Sequence, residues 1–110
     1  EATVHRTCYG GGELLRLLNP GSPYHAPAVP VFQMVDAILK DKHLIVPASA
    51  YMQGEYGLKD MYFGVPVQLG RGGIEKIVEY TLDESEQVAL KNSAAAVWQT
   101  TEALRSLVKI

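Results

Sequence analysis

The sequence predicts an α+β fold in which long helices pack on a three-stranded antiparallel meander. Apolar residues recur at spacings of three and four over 31–39 and again over 88–108, which indicates two amphipathic helices. Between them lie three runs typical of β-strands, at 43–52, 61–69 and 74–80, separated by short breaks. With 110 residues, of which 47% are apolar and 20% charged, the chain has the length and composition of one globular domain.

A further helix is predicted over residues 12–19, which are rich in leucine. Three consecutive glycines at 10–12 overlap its start and would cost a helix roughly 3 kcal/mol relative to alanine. We therefore expect a kinked or frayed turn before this helix. The helix should stop at Asn19-Pro20-Gly21, because proline cannot continue a helix and glycine accepts left-handed angles.

The next helix is predicted to begin at Ser22-Pro23, with serine as the N-cap and proline at the first helical position. It extends to about Lys40. Pro27 falls in its early turns, where a missing N–H is tolerated, whereas Pro30 falls deeper and is expected to kink the helix.

The three strands in the middle of the chain are joined by short connections, which favours antiparallel neighbours. Pro47 indicates that the first strand lies at an edge of the sheet or carries a bulge. Residues 53–60 contain Gly54 and Gly57 and are predicted to form a loop. Gly70-Arg71-Gly72-Gly73 predicts the turn between the second and third strands.

The last helix is predicted over 83–110. Asp83 and Glu86, three residues apart, form the pattern of a capping box with aspartate in place of serine or threonine. Apolar residues at helical spacing, Trp98 among them, form one stripe that is expected to face the core. Arg105 near the C-terminal end suits the helix dipole.

Patterns that would indicate a cofactor or metal site are weak. The glycines at 10–12 lack the G-x-G-x-x-G spacing and follow no strand, so they do not predict a phosphate cradle. His5 and Cys8 would share a helix face, but a zinc site needs three or four ligands, and His25 and His43 stand alone in the sequence. We predict no metal site and expect the histidines at the surface.

Candidate catalytic groups are equally sparse. Cys8 has no identifiable partner that would orient a histidine for nucleophilic catalysis. Glu55 and Asp60 are expected in a solvated loop rather than as an acid–base pair. Arg71, on the glycine-rich turn, is able to bind an anion but is expected to be simply exposed.

Charge and hydropathy exclude several classes of function. The formal net charge is −2 with both signs interspersed, whereas a nucleic-acid-binding surface needs a basic excess. No apolar run approaches the ~18 residues of a membrane span, and the first residues contain no apolar signal core. A single cysteine, Cys8, cannot form an internal disulfide, so the expected location is the reducing cytoplasm.

Five strings of residues, taken in order, are more specific than any of these motifs. They are GGGELL at 10–15, GSPYHAPA at 21–28, QMVDAILKDK at 33–42, PASAY at 47–51 and GEYGLKDMYFGVPVQLG at 54–70. In this order they resemble the C-terminal third of the lactate-dehydrogenase-like malate dehydrogenases, nearly from end to end. The stretch at 54–70 is the most specific part, and the string at 21–28 suggests malate rather than lactate dehydrogenase.

The resemblance implies an oxidoreductase of the tricarboxylic acid cycle that transfers hydride between NAD(H) and the malate/oxaloacetate pair. Such enzymes are dimers or tetramers. The resemblance also implies that 1–110 is the C-terminal part of the substrate domain, the rest of the LDH/MDH fold being absent. The NAD-binding Rossmann domain, the catalytic His–Asp pair and the substrate-binding arginines would lie upstream of Glu1, which fits a chain that does not begin with Met. No catalytic residue is then expected in this chain, which we predict to be inactive alone because hydride transfer needs all reacting groups in position.

By the same resemblance, Ser22, Pro23 and Pro27 lie next to the substrate or the nicotinamide. Pro23 aligns with a small residue beside the substrate, and Pro27 with a residue that packs against the nicotinamide ring. The alternative for Ser22-Pro23 is helix capping alone. Two other functions stay open: a stand-alone interaction module that dimerises through helix 83–110, and a domain that binds a small anion near Ser22 or Arg71.

Overall fold

The computed structural model describes residues 2–18, 21 and 24–108. It contains three helices, a short 3-10 turn and three strands, in the order α1 (Ala2–Leu17), α2 (His25–Leu39), β1 (Leu44–Gln53), the turn (Glu55–Gly57), β2 (Lys59–Gly70), β3 (Gly73–Ile77) and α3 (Glu84–Val108). The strands form an antiparallel sheet in the order β1-β2-β3, which confirms the predicted α+β fold with a meander. The chain divides into two compact units, Glu1–Asp36 and Ala37–Ile110.

The glycine-rich first helix departs from the prediction. α1 continues through the glycines at 10–12, so the expected start near residue 12 is wrong. Glycine accepts helical angles and only lowers helix stability, by about 1 kcal/mol relative to alanine. The penalty therefore predicts a weaker helix but not where the helix begins. Across the glycines, Arg6 Nε lies 3.8 Å from Glu13 Oε2.

α2 begins at His25, slightly later than predicted, and ends at Leu39. The predicted cap, Ser22-Pro23, lies outside the described residues. Pro30 lies inside the helix, where its ring nitrogen has no hydrogen to donate to the preceding turn. The kink expected there stays a prediction.

The two long strands pair over their whole length, from Leu44 opposite Leu69 to Gln53 opposite Lys59. β1 is an edge strand in the described sheet, as Pro47 predicts. β3 ends at Ile77 rather than at residue 80.

The chain beyond β3 is held by a tyrosine hydroxyl instead of by a strand partner. Tyr56 Oη donates to the carbonyl of Val78 and accepts the N–H of Tyr80, each at 2.9 Å. The backbone N–H of Tyr56 donates to Glu79 Oε2 at 2.9 Å. These three bonds replace the ladder that a longer third strand would supply and fix the chain between β3 and α3.

Each strand pair contains one unpaired residue, and both of these residues are acidic. Asp60 lies between Lys59 and Met61, whose partners on β1 are adjacent. Glu75 lies between two β3 residues whose partners on β2 are adjacent. Such β-bulges increase the local twist and redirect the extra side chain. The two carboxylates are therefore removed from the regular alternation of the sheet.

The core lies on one face of the sheet. Of the eight buried apolar residues in the described part of the chain, six belong to β1 and β2, namely Ala50, Met52, Met61, Val65, Val67 and Leu69. Their spacing of two or four within each strand places them on the same face. α3 packs near this layer and buries Ala94. Burial is therefore concentrated between the two long strands and one part of α3.

α3 begins with the predicted capping box. The backbone N–H of Glu86 donates to Asp83 Oδ1 at 2.8 Å, and the N–H of Asp83 donates to Glu86 Oε2 at 3.0 Å. The bond from Glu86 lowers the pKa of Asp83, and a bond from the Ser85 hydroxyl adds to this effect.

The expected core stripe of α3 is largely exposed. Trp98 exposes 38% of its surface and Leu107 exposes 81%. The contact of α3 with the sheet is limited, so Ala94 is its only described residue that is buried. Helical spacing identifies the apolar face of a helix, but it does not show how much of that face is covered by other elements. No described helix combines the length and the hydropathy that a membrane span requires.

Candidate functional site

Of the three residues predicted to contact substrate or nicotinamide, the structure describes one. Ser22 and Pro23 lie outside the described residues, and Pro27 lies in the first turn of α2, where it is exposed. The first turn of a helix leaves its N–H groups without helical partners, so proline is accepted there. Pro27 has no titratable group. It can pack against a ligand but cannot transfer a proton.

The surface of α2 is apolar over much of its length. Val29, Val31 and Val35 are exposed, and Phe32 exposes 68% of its surface. No acidic residue lies in the first turn of α2 and no basic residue in its last turn. Exposed apolar groups of this size are typical of surfaces that contact another domain or another molecule. The chemistry that α2 offers is therefore contact and exclusion of water.

A polar cluster joins the connection before β1 to the bulge of β3. Asp41, His43 and Glu75, called here the His43 cluster, each offer one ligand atom within 4.8 Å of the other two. His43 Nδ1 lies 2.6 Å from Glu75 Oε2, and His43 Nε2 lies 3.7 Å from Asp41 Oδ1. The imidazole therefore lies between two carboxylates.

Neighbouring groups fix both carboxylates of the His43 cluster. Asp41 Oδ1 accepts the backbone N–H of Arg71 at 2.8 Å. Gln68 Nε2 donates to Glu75 Oε2 at 3.3 Å. Gly70 leaves room for the Glu75 carboxylate, because a Cβ at position 70 would overlap its oxygens. The turn, the middle strand and the bulge thus all hold the cluster.

The acidic surroundings change the proton affinity of the imidazole. The hydrogen bond with Glu75 is the main cause that raises the pKa of His43, followed by the charges of Glu75 and Asp41. His43 remains half-exposed, so it exchanges protons and ions readily with solvent.

The expectation that His43 stands alone is wrong. His43 and Glu75 are 32 positions apart, and only the strand register brings them together. Leu44 and Ile74 pair with Leu69 from opposite sides of β2, and the Glu75 carboxylate crosses β2 over Gly70 to reach His43. The sequence carries a partial signal, since Gln68 and Glu75, two residues outside the glycines of the hairpin turn, are polar. It does not reveal the bulge that redirects Glu75.

Glu55 lies in the 3-10 turn, whereas Asp60 lies in β2, so the loop predicted for both residues ends before Asp60. Glu55 Oε2 accepts the N–H of Gln53 at 2.7 Å, which lowers the pKa of Glu55. Asp60 Oδ1 accepts the hydroxyl of Tyr51 at 3.2 Å. Partial desolvation and then this bond raise the pKa of Tyr51. Both carboxylates stabilise the local backbone or a neighbouring ring.

The other polar residues that the sequence singles out do not assemble into a site within the described part of the chain. Cys8 is exposed on α1, and the ring of His5 lies 4.7 Å from that of Tyr9. The glycines at 10–12 form part of a helix rather than a loop after a strand. These residues therefore offer no cradle for a dinucleotide phosphate.

Comparison with known proteins identifies the family to which this fold belongs. The sequence profile described as "lactate/malate dehydrogenase, alpha/beta C-terminal domain" matches residues 1–106. The malate dehydrogenase of Roseiflexus sp. (strain RS-1) is 49% identical over 107 residues, which cover 97% of this chain and 35% of that protein. The chain thus spans about a third of the length of the curated relatives it matches.

Solved structures agree in fold. The malate dehydrogenase from Salinibacter ruber superposes with a TM-score of 0.90 at 44% identity, over 94% of this chain and 34% of that one. The lactate dehydrogenase from Eimeria maxima with NADH and oxamate gives 0.89 at 36% identity, over 94% and 32%. By its sequence and its fold, the chain belongs to the family of lactate/malate dehydrogenase C-terminal domains.

Proposed function

We propose that this chain is part of an NAD-dependent malate dehydrogenase that transfers hydride between malate/oxaloacetate and NAD(H). The observation that carries the proposal is the identity of about half the residues to malate dehydrogenases across nearly the whole chain. The bound NADH of the related Eimeria maxima lactate dehydrogenase supports the choice of cofactor. Because that protein has almost the same fold here, the fold alone does not select malate over lactate, and the substrate rests on the sequence relatives.

The proposed place of the chain is the C-terminal part of the substrate domain, residues 1–110, with the NAD-binding Rossmann domain outside it. Two observations support this division. The chain spans about a third of its relatives. Its described residues do not fit a dinucleotide, since the glycines at 10–12 lie within α1. The proton and hydride donors of the reaction would accordingly lie in the rest of the enzyme.

The proposed contribution of the chain is contact with the reactants. Ser22 and Pro23 would lie beside the substrate, and Pro27 against the nicotinamide ring. Pro27 is exposed at the start of α2, next to an apolar surface, which supports this role. Small and uncharged residues there would position the reactants and exclude water, and positioning contributes strongly to the rate of hydride transfer.

The proposed assembly is a homodimer or homotetramer in the cytoplasm. The support is the amount of exposed apolar surface on the helices, which includes Phe32 at 68% and Leu17 at 75% exposure. The rest of the enzyme and a second copy would cover it. Light scattering of the isolated 110-residue chain should show self-association, and a monomer at high concentration would contradict this part of the proposal.

The test of the activity compares two substrates with the full-length protein. We expect oxaloacetate-dependent oxidation of NADH, with kcat/KM at least about tenfold higher than for pyruvate. The isolated 110-residue chain should give no rate above the buffer. A preference for pyruvate would replace malate by lactate as the substrate. A rate from the isolated chain that survives repurification would overturn the proposed division of the enzyme.

A further inference from the structure

The His43 cluster has the composition of a metal site rather than only that of an ion pair. It combines one imidazole with two carboxylates, taken from a connecting segment and a β-bulge. Zn²⁺ and similar divalent transition ions accept nitrogen and oxygen ligands at about 2.0–2.2 Å, and three protein ligands plus water form an open site. A calcium or magnesium site would instead require mainly oxygen ligands.

The distances within the cluster suit a small ion. Ligands about 2.1 Å from a tetrahedral ion lie roughly 3.4 Å from one another. Nδ1 of His43 lies 2.6 Å from Glu75 Oε2, whereas Asp41 Oδ1 lies 3.7 Å from the other ring nitrogen, Nε2. Because one imidazole gives a single nitrogen to an ion, one carboxylate has to turn toward the nitrogen that binds. One ligand atom of each residue already lies within 4.8 Å of the other two, and the side chains are partly exposed, so this movement is small.

The backbone and neighbouring groups hold the cluster in advance. The bulge at Glu75 redirects its carboxylate, and Gly70 provides the space that this carboxylate occupies. Gln68 and the N–H of Arg71 each bond a ligand carboxylate from outside. Such outer contacts orient metal ligands and strengthen binding. A simple surface ion pair needs none of this support.

We propose that Asp41, His43 and Glu75 bind a divalent transition-metal ion, with Zn²⁺ as the best-matched ion, beside the β2–β3 hairpin. The ion would replace the proton shared between His43 and Glu75 and would connect the segment after α2 to the hairpin. The site shares no residue with the proposed reactant contacts Ser22, Pro23 and Pro27, so its test does not depend on the dehydrogenase activity. Its expected effect is on the stability of this part of the fold.

The first experiment titrates Zn²⁺ into the full-length protein after removal of metals by a chelator, with calorimetry as the readout. His43→Gln keeps a polar side chain at the position but removes the imidazole ligand, and we expect it to weaken binding at the site more than about tenfold. His25→Gln removes another exposed histidine and is the matched control, which should bind as the unmodified protein does. Asp41→Asn and Glu75→Gln should each weaken binding.

A second readout identifies the site independently of folding. Zn²⁺ should shift the ring-nitrogen NMR signals of His43 and leave those of His25 in place. Gly70→Ala, which displaces the Glu75 carboxylate without removing a ligand, should weaken binding by about tenfold. The proposal is overturned if His43→Gln and His25→Gln bind Zn²⁺ alike, or if the His43 signals do not move at about 100 μM free Zn²⁺. Either result leaves a His–carboxylate ion pair without a metal.

Discussion

The sheet and α1 differ in how they use their apolar residues. β1 and β2 bury six apolar side chains against each other and under α3. α1 contains more residues than either strand, yet none of them is buried, and Leu15 and Leu17 expose 53% and 75% of their surfaces. The sheet therefore contains its own source of stability. The helix carries apolar residues whose burial needs another surface.

This difference separates two kinds of sequence constraint. Apolar residues of the sheet are explained by contacts within the chain, and changes there should affect stability. Apolar residues of α1 and α2 are explained by contacts with the rest of the enzyme or a second copy, and changes there should affect assembly, activity or the stability of the whole enzyme. The predictions that follow test this separation, from the largest expected effect to the smallest.

Truncation of the sheet core should have the largest effect. Met52 is fully buried, so Met52→Ala leaves a cavity and should lower the free energy of unfolding by about 2–5 kcal/mol. In the same 110-residue chain, diluted below the concentration at which it self-associates, Leu17→Ala on α1 should change the free energy of unfolding by less than about 0.5 kcal/mol. Urea unfolding measures both. Equal losses for the two variants would remove the contrast between sheet and helix.

The same Leu17→Ala substitution in the full-length protein tests the contrast between sheet and helix further. In the full-length protein, where we propose that α1 is covered, the same substitution should cost about 2 kcal/mol, because a buried leucine side chain contributes 1.5–3 kcal/mol. Urea unfolding is again the measurement. A loss as small as in the isolated chain would show that α1 stays exposed in the whole enzyme.

The bridge formed by Tyr56 should have an intermediate effect. Tyr56→Phe removes the hydroxyl that donates to Val78 and accepts from Tyr80, which should cost about 1–2 kcal/mol. Tyr62→Phe, at a ring that is 67% exposed, is the matched control and should be nearly neutral. A similar result for both would mean that the segment after β3 is held by other contacts.

Activity rather than stability should respond at the start of α2. Pro27→Ala in the full-length enzyme should lower kcat/KM for oxaloacetate by roughly three- to tenfold, or about 1 kcal/mol, with little change in unfolding. Pro30→Ala, one turn further along α2, is the control for helix geometry. Steady-state kinetics provide the measurement. An effect of Pro30→Ala as large as that of Pro27→Ala would point to helix geometry instead of contact with the nicotinamide.

The smallest expected effect concerns pH and the cap of α3. The pKa of Asp83 is lower in the folded chain than its usual 3.8, so the ionised cap stabilises the fold above the unfolded-state pKa. This stabilisation is lost as the pH falls through the folded-state pKa. Asp83→Asn should therefore melt below the unmodified chain at pH 7, and the difference between the two melting temperatures should shrink as the pH falls below 3.8. A constant difference would exclude the carboxylate charge as the cause.

Local features of the fold could be predicted from the sequence, because the residues that make them are close together in it. Asp83 and Glu86 are three positions apart and form the predicted cap. Pro47 correctly indicates an edge strand. The glycines of α1 led to a wrong helix start because glycine lowers the stability of a helix without ending it.

Features that depend on register or on neighbours outside the element could not be predicted. The contact of His43 with Glu75 depends on the β-bulge at Glu75, opposite Gln68 and Leu69 of β2. No local sequence pattern specifies this bulge. The exposure of Trp98 depends on how much of α3 meets the sheet. Ser22 and Pro23 lie outside the described residues, so their proposed contacts remain predictions.

The pairing of Pro47 with Pro66 has a consequence for the outer edge of β1. The carbonyl of Pro66 accepts from Val78, on the side of β3. In an antiparallel pair, two opposed residues either exchange backbone hydrogen bonds or both direct their N–H and C=O groups away from each other. The position where Pro47 lacks an N–H therefore faces outward, near the middle of an edge of ten residues. An added strand from another molecule would miss a hydrogen bond there, which protects β1 against edge-to-edge aggregation.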